Sequence, residues 1–336
     1  MKTLSLFLLC FFLFVTNINV SVYDANQNIS VRSYILIDGY NEEILEGKNY
    51  NEVRSVASIS KIMTAIIAIE SELDLFYSYE IIDRWTNIEG SSLYLKSGEK
   101  YRLIDLIYGL LLRSGNDASY AISEIVCDDV NTFVNEMNLK AEKIGMKNTM
   151  FSNPCGLDIY DNGNLSTAYD MAILMKYCMS NSLFCEIISS KKHTFGNRVY
   201  ENKNKLLKSY AYLLGGKTGY TYKAKRTLVT ASKKDEQYLI MVTLDCGDDY
   251  NFHKTRYEYY FNEYYYVVFL NKGLNYIDEF KIESKVVVGI RINKNIQTNL
   301  IKEYFIYPRT KSLKLYLILN QNTKIEYKFR LAISFK

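Results

Sequence analysis

The sequence predicts a mixed α/β chain of the α+β kind: antiparallel hairpins bracket a helical stretch, and a small all-β region closes the chain. Three observations carry this. Ile62, Ala65, Ile66 and Ile69 recur at i, i+3, i+4 and i+7, one apolar face of a helix. The β-rich runs Arg226 to Ser232 and Gln237 to Cys246 are separated only by Lys233 to Glu236, which makes them an antiparallel pair. From about Val267 to Lys336 the apolar residues come in short β-type runs. A length of 336 residues suggests about two domains. We expect residues 1–22 to be a signal peptide or N-terminal anchor, 23–265 the main domain, and 266–336 the small β-rich domain.

In chain order, Met1-Lys2-Thr3 precedes an apolar run from Leu4 to Val15. Its length suits the core of an export signal and falls short of a membrane span. An exported, extracytoplasmic protein is expected, in the wall or on the outer face of the membrane. Thr16 to Val22 holds no clean A-x-A, so an uncleaved anchor stays open. Cys10 follows Leu9 rather than a small residue, which argues against a lipoprotein signal. Val31 to Asp38 reads as a strand, Gly39 to Glu42 as a turn and Glu43 to Glu46 as a second strand; this hairpin feeds a helix starting at Ser58. Leu103 to Leu112 is an apolar helix that stops at Arg113-Ser114-Gly115-Asn116, and Asp117 caps the next one, through about Val126. Asn131 to Ile144 is helical, with Gly145 as its stop. Asn153-Pro154-Cys155-Gly156 is turn chemistry. Ser166-Thr167 caps a helix from Ala168 to about Met179. Lys217 lies on a strand beside the later hairpin. Phe252 to about Tyr265 reads as a helix, although its aromatics also suit a strand. Strands are expected at Lys285 to Ile292, Tyr304 to Tyr307, Leu313 to Leu319 and Ile325 to Ile333.

Composition narrows the function. The chain is 48% hydrophobic and 23% charged, which is globular. Its formal charge is only +4 and the basic residues are dispersed, so no nucleic-acid partner is expected. Five cysteines follow Cys10, an odd number without C-x-x-C, which predicts free or buried thiols rather than a disulfide framework. The two histidines, His193 and His253, stand at no ligand spacing, so neither a metal nor a cofactor is expected. A Ser-His-Asp triad is not excluded by count, but neither histidine sits in a motif. Abundant tyrosine (31) beside rare proline (2) reads as a compositional bias of the source.

The stretch with catalytic chemistry is Ala57-Ser58-Ile59-Ser60-Lys61-Ile62-Met63-Thr64. Ser58 and Lys61 are three apart and share one side of a helix. A serine hydroxyl needs a base within hydrogen-bond reach, and a neutral lysine amine serves as one. N–H groups at a helix start favour developing negative charge. Alone, the same spacing also describes a capping serine before an exposed lysine. It is followed in order by Ser114-Gly115-Asn116 and Lys217-Thr218-Gly219. The three together match a known catalytic signature, with Gly115 where the middle triplet is usually written with Asp.

With these motifs and the flanking Asp117-Ala118, Asn153-Pro154-Cys155-Gly156-Leu157, Ser166-Thr167-Ala168-Tyr169-Asp170-Met171-Ala172 and Tyr220-Thr221, the chain resembles the serine-type D-alanyl-D-alanine carboxypeptidases, the low-molecular-mass penicillin-binding proteins. The resemblance spans about residues 31 to 265. It implies a serine β-lactamase/transpeptidase-like domain, an antiparallel sheet with helices on both sides. It also implies a peptidoglycan stem peptide ending in D-Ala-D-Ala as substrate and β-lactams as inhibitors. Ser58 would be the nucleophile and Lys61 its base, with Lys217 lowering the pKa of Lys61 by like-charge repulsion and burial acting the same way. Ser114 would relay a proton to the leaving amine. Asn116 would bond Lys61 and the substrate amide. Lys217 and Thr218 would hold the terminal carboxylate, and Gly219 would let the substrate lie close. The N–H groups of Ser58 and Tyr220 would form the oxyanion hole.

Asn153 and Asp170 are expected to shape a turn and a helix start outside the site, and Tyr257 to Tyr266 to pack. The chain departs from the family at Asn164, where histidine is common, and at Ala224-Lys225-Arg226, where Ala-Gly is usual and two cations now stand near the substrate edge. The end lacks the amphipathic membrane helix of many relatives, so membrane contact would rest on an uncleaved N-terminus. Two rivals remain open: a β-lactamase on the same fold, disfavoured by the lack of Glu between Glu142 and Glu186, and a catalytically silent wall-binding protein.

Overall fold

The computed structural model describes residues 29–158, 163–277, 280–295, 301–307, 312–320 and 323–330. The expected signal or anchor (1–22) and the end of the last expected strand (331–333) lie outside the described residues. Two compact units divide between Glu258 and Tyr259.

The first unit opens with the hairpin β1 (Val31–Asp38) and β2 (Ile44–Lys48). A short β3 (Arg54–Ser55) enters a 3-10 turn, Ala57–Ser60, which α1 (Lys61–Ile69) continues. The expected single helix at Ser58 is therefore two pieces, and the α-helical part begins at Lys61. Ala57 sits at φ +51°, a left-handed conformation that turns the chain sharply out of β3. Next come β4 (Ser78–Glu80), β5 (Lys100–Arg102), α2 (Leu103–Arg113), α3 (Asn116–Cys127) and α4 (Val130–Ile144). Then follow β6 (Leu165–Ser166), α5 (Ala168–Cys178), α6 (Ser182–Ser189), the hairpin β7 (Lys192–Phe195) and β8 (Arg198–Glu201), and a short α7 (Leu206–Ser209). β9 (Leu213–Thr221), β10 (Lys225–Lys234), β11 (Gln237–Cys246) and α8 (Asp249–Glu263) follow. The expected boundaries hold closely for α2, α4 and α5, where Gly145 ends α4 and the Thr167 side chain accepts from the Asp170 N–H. α6 was not expected; Asn181 caps it by accepting from the Phe184 N–H.

Five antiparallel strands form one sheet in the order β2-β1-β11-β10-β9. Side chains alternate between its faces. Ile35, Ile37, Val229, Ala231, Ile240, Val242 and Leu244 join the helical core of α1, α2 and α5. The opposite face meets α8. There Thr230 and Thr243 hydroxyls hold the two ring nitrogens of His253 at 2.7 and 3.0 Å, and Thr230 also bonds Tyr257. Burial pushes His253 down to about 3, so the imidazole is neutral. Among the described residues the five cysteines are free thiols, and no single helix is long and apolar enough to cross a membrane.

The second unit contains β12 (Tyr264–Leu270), β13 (Gly273–Ile277), β14 (Phe280–Ser284), β15 (Val288–Asn293), β16 (Ile301–Tyr307), β17 (Ser312–Asn320) and β18 (Thr323–Arg330). Its pairings, β12 with β15, β13 with β14, and β17 with both β16 and β18, are all antiparallel. The aromatic run once read as helix or strand is both: α8 ends at Glu263 and β12 starts at Tyr264.

A buried turn ties the two halves of the first unit. Asn153 Oδ1 accepts from the Cys155 and Gly156 N–H groups at 3.2 and 2.7 Å. Asn164 Oδ1 accepts from the Ser152 and Asn153 N–H groups at 2.8 and 3.1 Å, and its Nδ2 donates to the Asn153 carbonyl at 2.9 Å. Asp170 accepts from the Asn148 N–H and the Thr149 hydroxyl. Asn164 thus supplies donor and acceptor together, as the family's more common histidine would. Because Asn164 is fully buried, Asn164→Ala leaves these backbone groups without partners. The expected loss is about 2–4 kcal/mol of stability, read as a lower urea midpoint, with exposed Leu139→Ala as a control within about 0.5 kcal/mol.

Candidate active site

Three pieces of chain converge: the Ala57–Ser60 turn with the first residue of α1, the α2–α3 junction, and β9. The Lys61 Nζ donates to Ser58 Oγ at 2.9 Å, to Asn116 Oδ1 at 2.7 Å and to the Cys155 carbonyl. Three acceptors match the three hydrogens of an ammonium. Lys61 is fully buried, whereas Ser58 keeps partial access to solvent. Burial, and then the Lys203 charge, pull Lys61 down to about 8 against the opposing influence of Cys155 and Asp117.

Ser114 ends α2 in a left-handed conformation, φ +66°. That corner starts α3 with Asn116, whose side chain turns back to Lys61. The Asn116 Nδ2 donates to the Glu89 carbonyl at 2.5 Å and its N–H to the Ser91 carbonyl at 2.6 Å. Asp117 does not cap α3 as expected. Its carboxylate accepts from the Ala118 N–H within the first turn, and from the Leu93 and Leu95 N–H groups and the Ser92 hydroxyl, fixing the loop that borders the site.

On β9, the Lys217 Nζ donates to Ser114 Oγ at 3.0 Å and to the Thr218 carbonyl at 2.7 Å. Lys217 is buried and lowered well below the usual lysine range, first by desolvation and then by the Lys61 and Lys203 charges. Burial is the first cause at both lysines, and like-charge repulsion involving Lys61, Lys203 and Lys217 acts in the same direction.

Backbones approach closely around Ser58. A Cβ on Gly219 would lie 2.4 Å from Thr227 Oγ1 and 2.9 Å from the Ser58 nitrogen, so only glycine lets β9 pass against the Ser58 turn. Gly156, at φ +83°, faces the same turn from the other side; its Cβ would fall 2.1 Å from the Ala57 carbonyl oxygen. Thr227 Oγ1 donates to the Val56 carbonyl at 3.0 Å and ties β10 to the entry of the turn. Tyr220, the next residue on β9, exposes its ring at the mouth.

The result is a cleft of about 430 Å³ whose lining includes Ser58, Asn116, Gly156, Tyr220, Arg113 and Lys203. All eight residues proposed from sequence lie on the three converging pieces. Missing from the sequence reading were the Cys155 carbonyl, which has no side-chain signature, and Lys203 and Arg113, which belong to none of the three motifs. The two cations expected near the substrate edge are engaged: Arg226 pairs with buried Asp249 at 2.5 Å, and Lys225 lies over the Tyr222 ring at 4.1 Å.

Comparison with known proteins agrees with this geometry. The family model for D-alanyl-D-alanine carboxypeptidase, peptidase S11, matches residues 20–247. The D-alanyl-D-alanine carboxypeptidase DacF of Bacillus subtilis is 33% identical over 220 residues, which cover 63% of this chain and 56% of DacF. DacB2 of Mycobacterium tuberculosis is 31% identical over 217 residues, 63% of this chain and 74% of that protein. A crystal structure of D-alanyl-D-alanine carboxypeptidase from Mycobacterium tuberculosis superposes with a TM-score of 0.66 at 27% identity, covering 71% of this chain and 94% of that one. Penicillin-binding protein 5 of Haemophilus influenzae shares the fold, with a TM-score of 0.76 at 23% identity over 91% of this chain and 98% of that one. With three ordered motifs meeting in one cleft and a family model spanning most of the first unit, the chain belongs to the D-alanyl-D-alanine carboxypeptidase family, peptidase S11.

Proposed function

We propose that the protein is an exported serine-type D-Ala-D-Ala carboxypeptidase that removes the terminal D-alanine from peptidoglycan pentapeptides. The observation that carries the reading is the buried Lys61 Nζ, 2.9 Å from Ser58 Oγ and with its pKa at about 8. At neutral pH about a tenth of such an amine is unprotonated, enough to act as general base.

Ser58 Oγ attacks the carbonyl between the two D-alanines and passes its proton to Lys61. The Oγ–C bond forms while two N–H groups, those of Ser58 and Tyr220, support the oxyanion. The C–N bond then breaks, and the departing amine takes the proton from Lys61 through Ser114, whose Oγ accepts from Lys217. Lys217 and Thr218 hold the terminal carboxylate, and Asn116 orients Lys61. Water, deprotonated by Lys61, hydrolyses the ester and frees Ser58. β-Lactams acylate the same serine. The described cleft lining offers no carboxylate to speed release of a penicilloyl ester, which favours the carboxypeptidase over a β-lactamase.

Intact-protein mass after benzylpenicillin tests the nucleophile. A stable adduct is expected on the wild type and none on Ser58→Ala. Adduct-free protein that still consumes penicillin rapidly would support the β-lactamase, and adduct-free protein that consumes none would support a silent wall-binding protein. D-Alanine release from a Lys-D-Ala-D-Ala peptide then distinguishes carboxypeptidase action from transpeptidation.

The pH dependence follows from the sign of the Lys61 shift. The base is the deprotonated form, and its folded pKa lies at about 8, below the usual value. Second-order acylation by benzylpenicillin should climb about tenfold per pH unit below that value and level off above it. A rate that is flat from pH 6 to 9 would remove Lys61 as the base.

A further inference from the structure

Tyr94 lies in the loop between β4 and β5, outside the three motifs, and lines the cleft that opens on Ser58. Its backbone is left-handed, φ +57°, a conformation that bulky side chains seldom adopt. The corner is held from several sides. The Asp117 carboxylate accepts from the Leu93 and Leu95 N–H groups, and both leucines are buried. The Arg198 Nη1 donates to the Leu93 and Tyr94 carbonyls at 2.8 and 3.1 Å, while its Nη2 pairs with Glu99 at 2.7 Å. The Tyr94 N–H donates to Ser92 Oγ at 2.8 Å. Yet the residue fixed in this way is 76% exposed. Folding gains little from an aromatic side chain left in water. Asparagine or glycine would take the same φ at less cost. Packing therefore explains neither the strain nor the ring. Strain kept at a braced position beside a site points to a role in that site.

The cleft has a buried end and an exposed end. Lys61, Lys217, Ser114 and Asn116 are buried, whereas Tyr94 and Tyr220 stand out at the mouth. In the carboxypeptidase reading, on which this inference rests, Lys217 takes the terminal carboxylate at the buried end. The amine of the D-Ala-D-Ala pair joins the ligand to the rest of the wall, so the acyl group on that amine leaves through the exposed end. We propose that Tyr94 is a specificity residue whose ring packs on this acyl group. It selects ligands in which the group is large and apolar over ligands that lack it. In a stem peptide the group is the preceding residue; in a penicillin it is the acyl side chain.

The test compares second-order acylation, read by intact-protein mass, for benzylpenicillin and 6-aminopenicillanic acid, the same bicycle without an acyl group. The quantity read is the ratio of the two rate constants. Tyr94→Asn removes the ring and suits the left-handed backbone. It should lower the ratio about fivefold to tenfold, the scale of one aromatic contact. Tyr94→Phe should keep the ratio, because the contact needs the ring and not the hydroxyl. The urea midpoint of Tyr94→Asn should equal or exceed that of the wild type, since the substitution relieves strain and removes little packing. An unchanged ratio in Tyr94→Asn, whether both rates hold or fall together, would overturn the proposal. So would a lower urea midpoint, which would make the ring part of the packing. A wild type acylated by neither compound would overturn the carboxypeptidase reading and this inference with it.

Discussion

Two lysine side chains, Lys61 and Lys217, are buried beside the Ser58 cleft, each among its own hydrogen-bond acceptors, and the first unit is arranged to make that tolerable. A charge removed from water costs several kcal/mol unless it is surrounded by acceptors. The acceptors are mostly neutral: the Cys155 and Thr218 carbonyls, the Ser58 and Ser114 hydroxyls and the Asn116 amide. A carboxylate in the same place would neutralise the lysines and hold their protons. Neutral dipoles satisfy the ammonium while leaving its pKa low, which a general base at neutral pH requires.

Presenting those dipoles requires backbone conformations that ordinary helices and strands do not supply. Ala57 and Ser114 are non-glycine residues at positive φ, each at a cost of order 1–3 kcal/mol. One turns β3 into the Ser58 corner and the other turns α2 into α3. Both are braced from outside. Gly156 and Gly219 let two segments close on the Ser58 turn, Thr227 ties β10 to Val56, and Asp117 holds the loop that Asn116 grips. The sheet and the α1–α2–α5 core supply the rigidity against which these corners are held.

Much of this was legible in the sequence because it is written in local chemistry. The apolar period of α1 and α2, the Thr167 cap and the Gly145 stop each depend on residues a few positions apart. The β10–β11 hairpin follows from two β-rich runs and a short link. The candidate site was legible for a different reason, since Ser58, Lys61 and Lys217, the proposed nucleophile, base and carboxylate-binding cation, are side chains in three ordered motifs. What escaped notice is nonlocal or carried by the backbone. The Cys155 carbonyl is indistinguishable from any other until Asn153 and Asn164 fold the turn that presents it. Asp117 lies in the first turn of α3, and only the fold shows its carboxylate turned to Leu93 and Leu95. Lys203 looked like one of many dispersed lysines until the Leu112 carbonyl brought it to the cleft.

The two lysines also form a coupled pair, and the coupling favours catalysis when substrate is bound. Repulsion within the pair means that the first proton lost relieves the other, so their titrations belong to the pair rather than to either residue. In the free protein burial comes first and this repulsion adds to it. A substrate carboxylate against Lys217 favours its charged form, because an opposite charge raises a lysine pKa. A Lys217 held charged then repels a proton from Lys61, 2.9 Å from the nucleophile. In the proposed reaction, the carboxylate held at Lys217 would thereby shift Lys61 towards the neutral amine that Ser58 needs. Linkage makes the effect reciprocal: a neutral Lys61 strengthens the hold of Lys217 on the carboxylate. Burial lowers both lysines, and in the proposed reaction the substrate carboxylate would favour keeping the proton on Lys217.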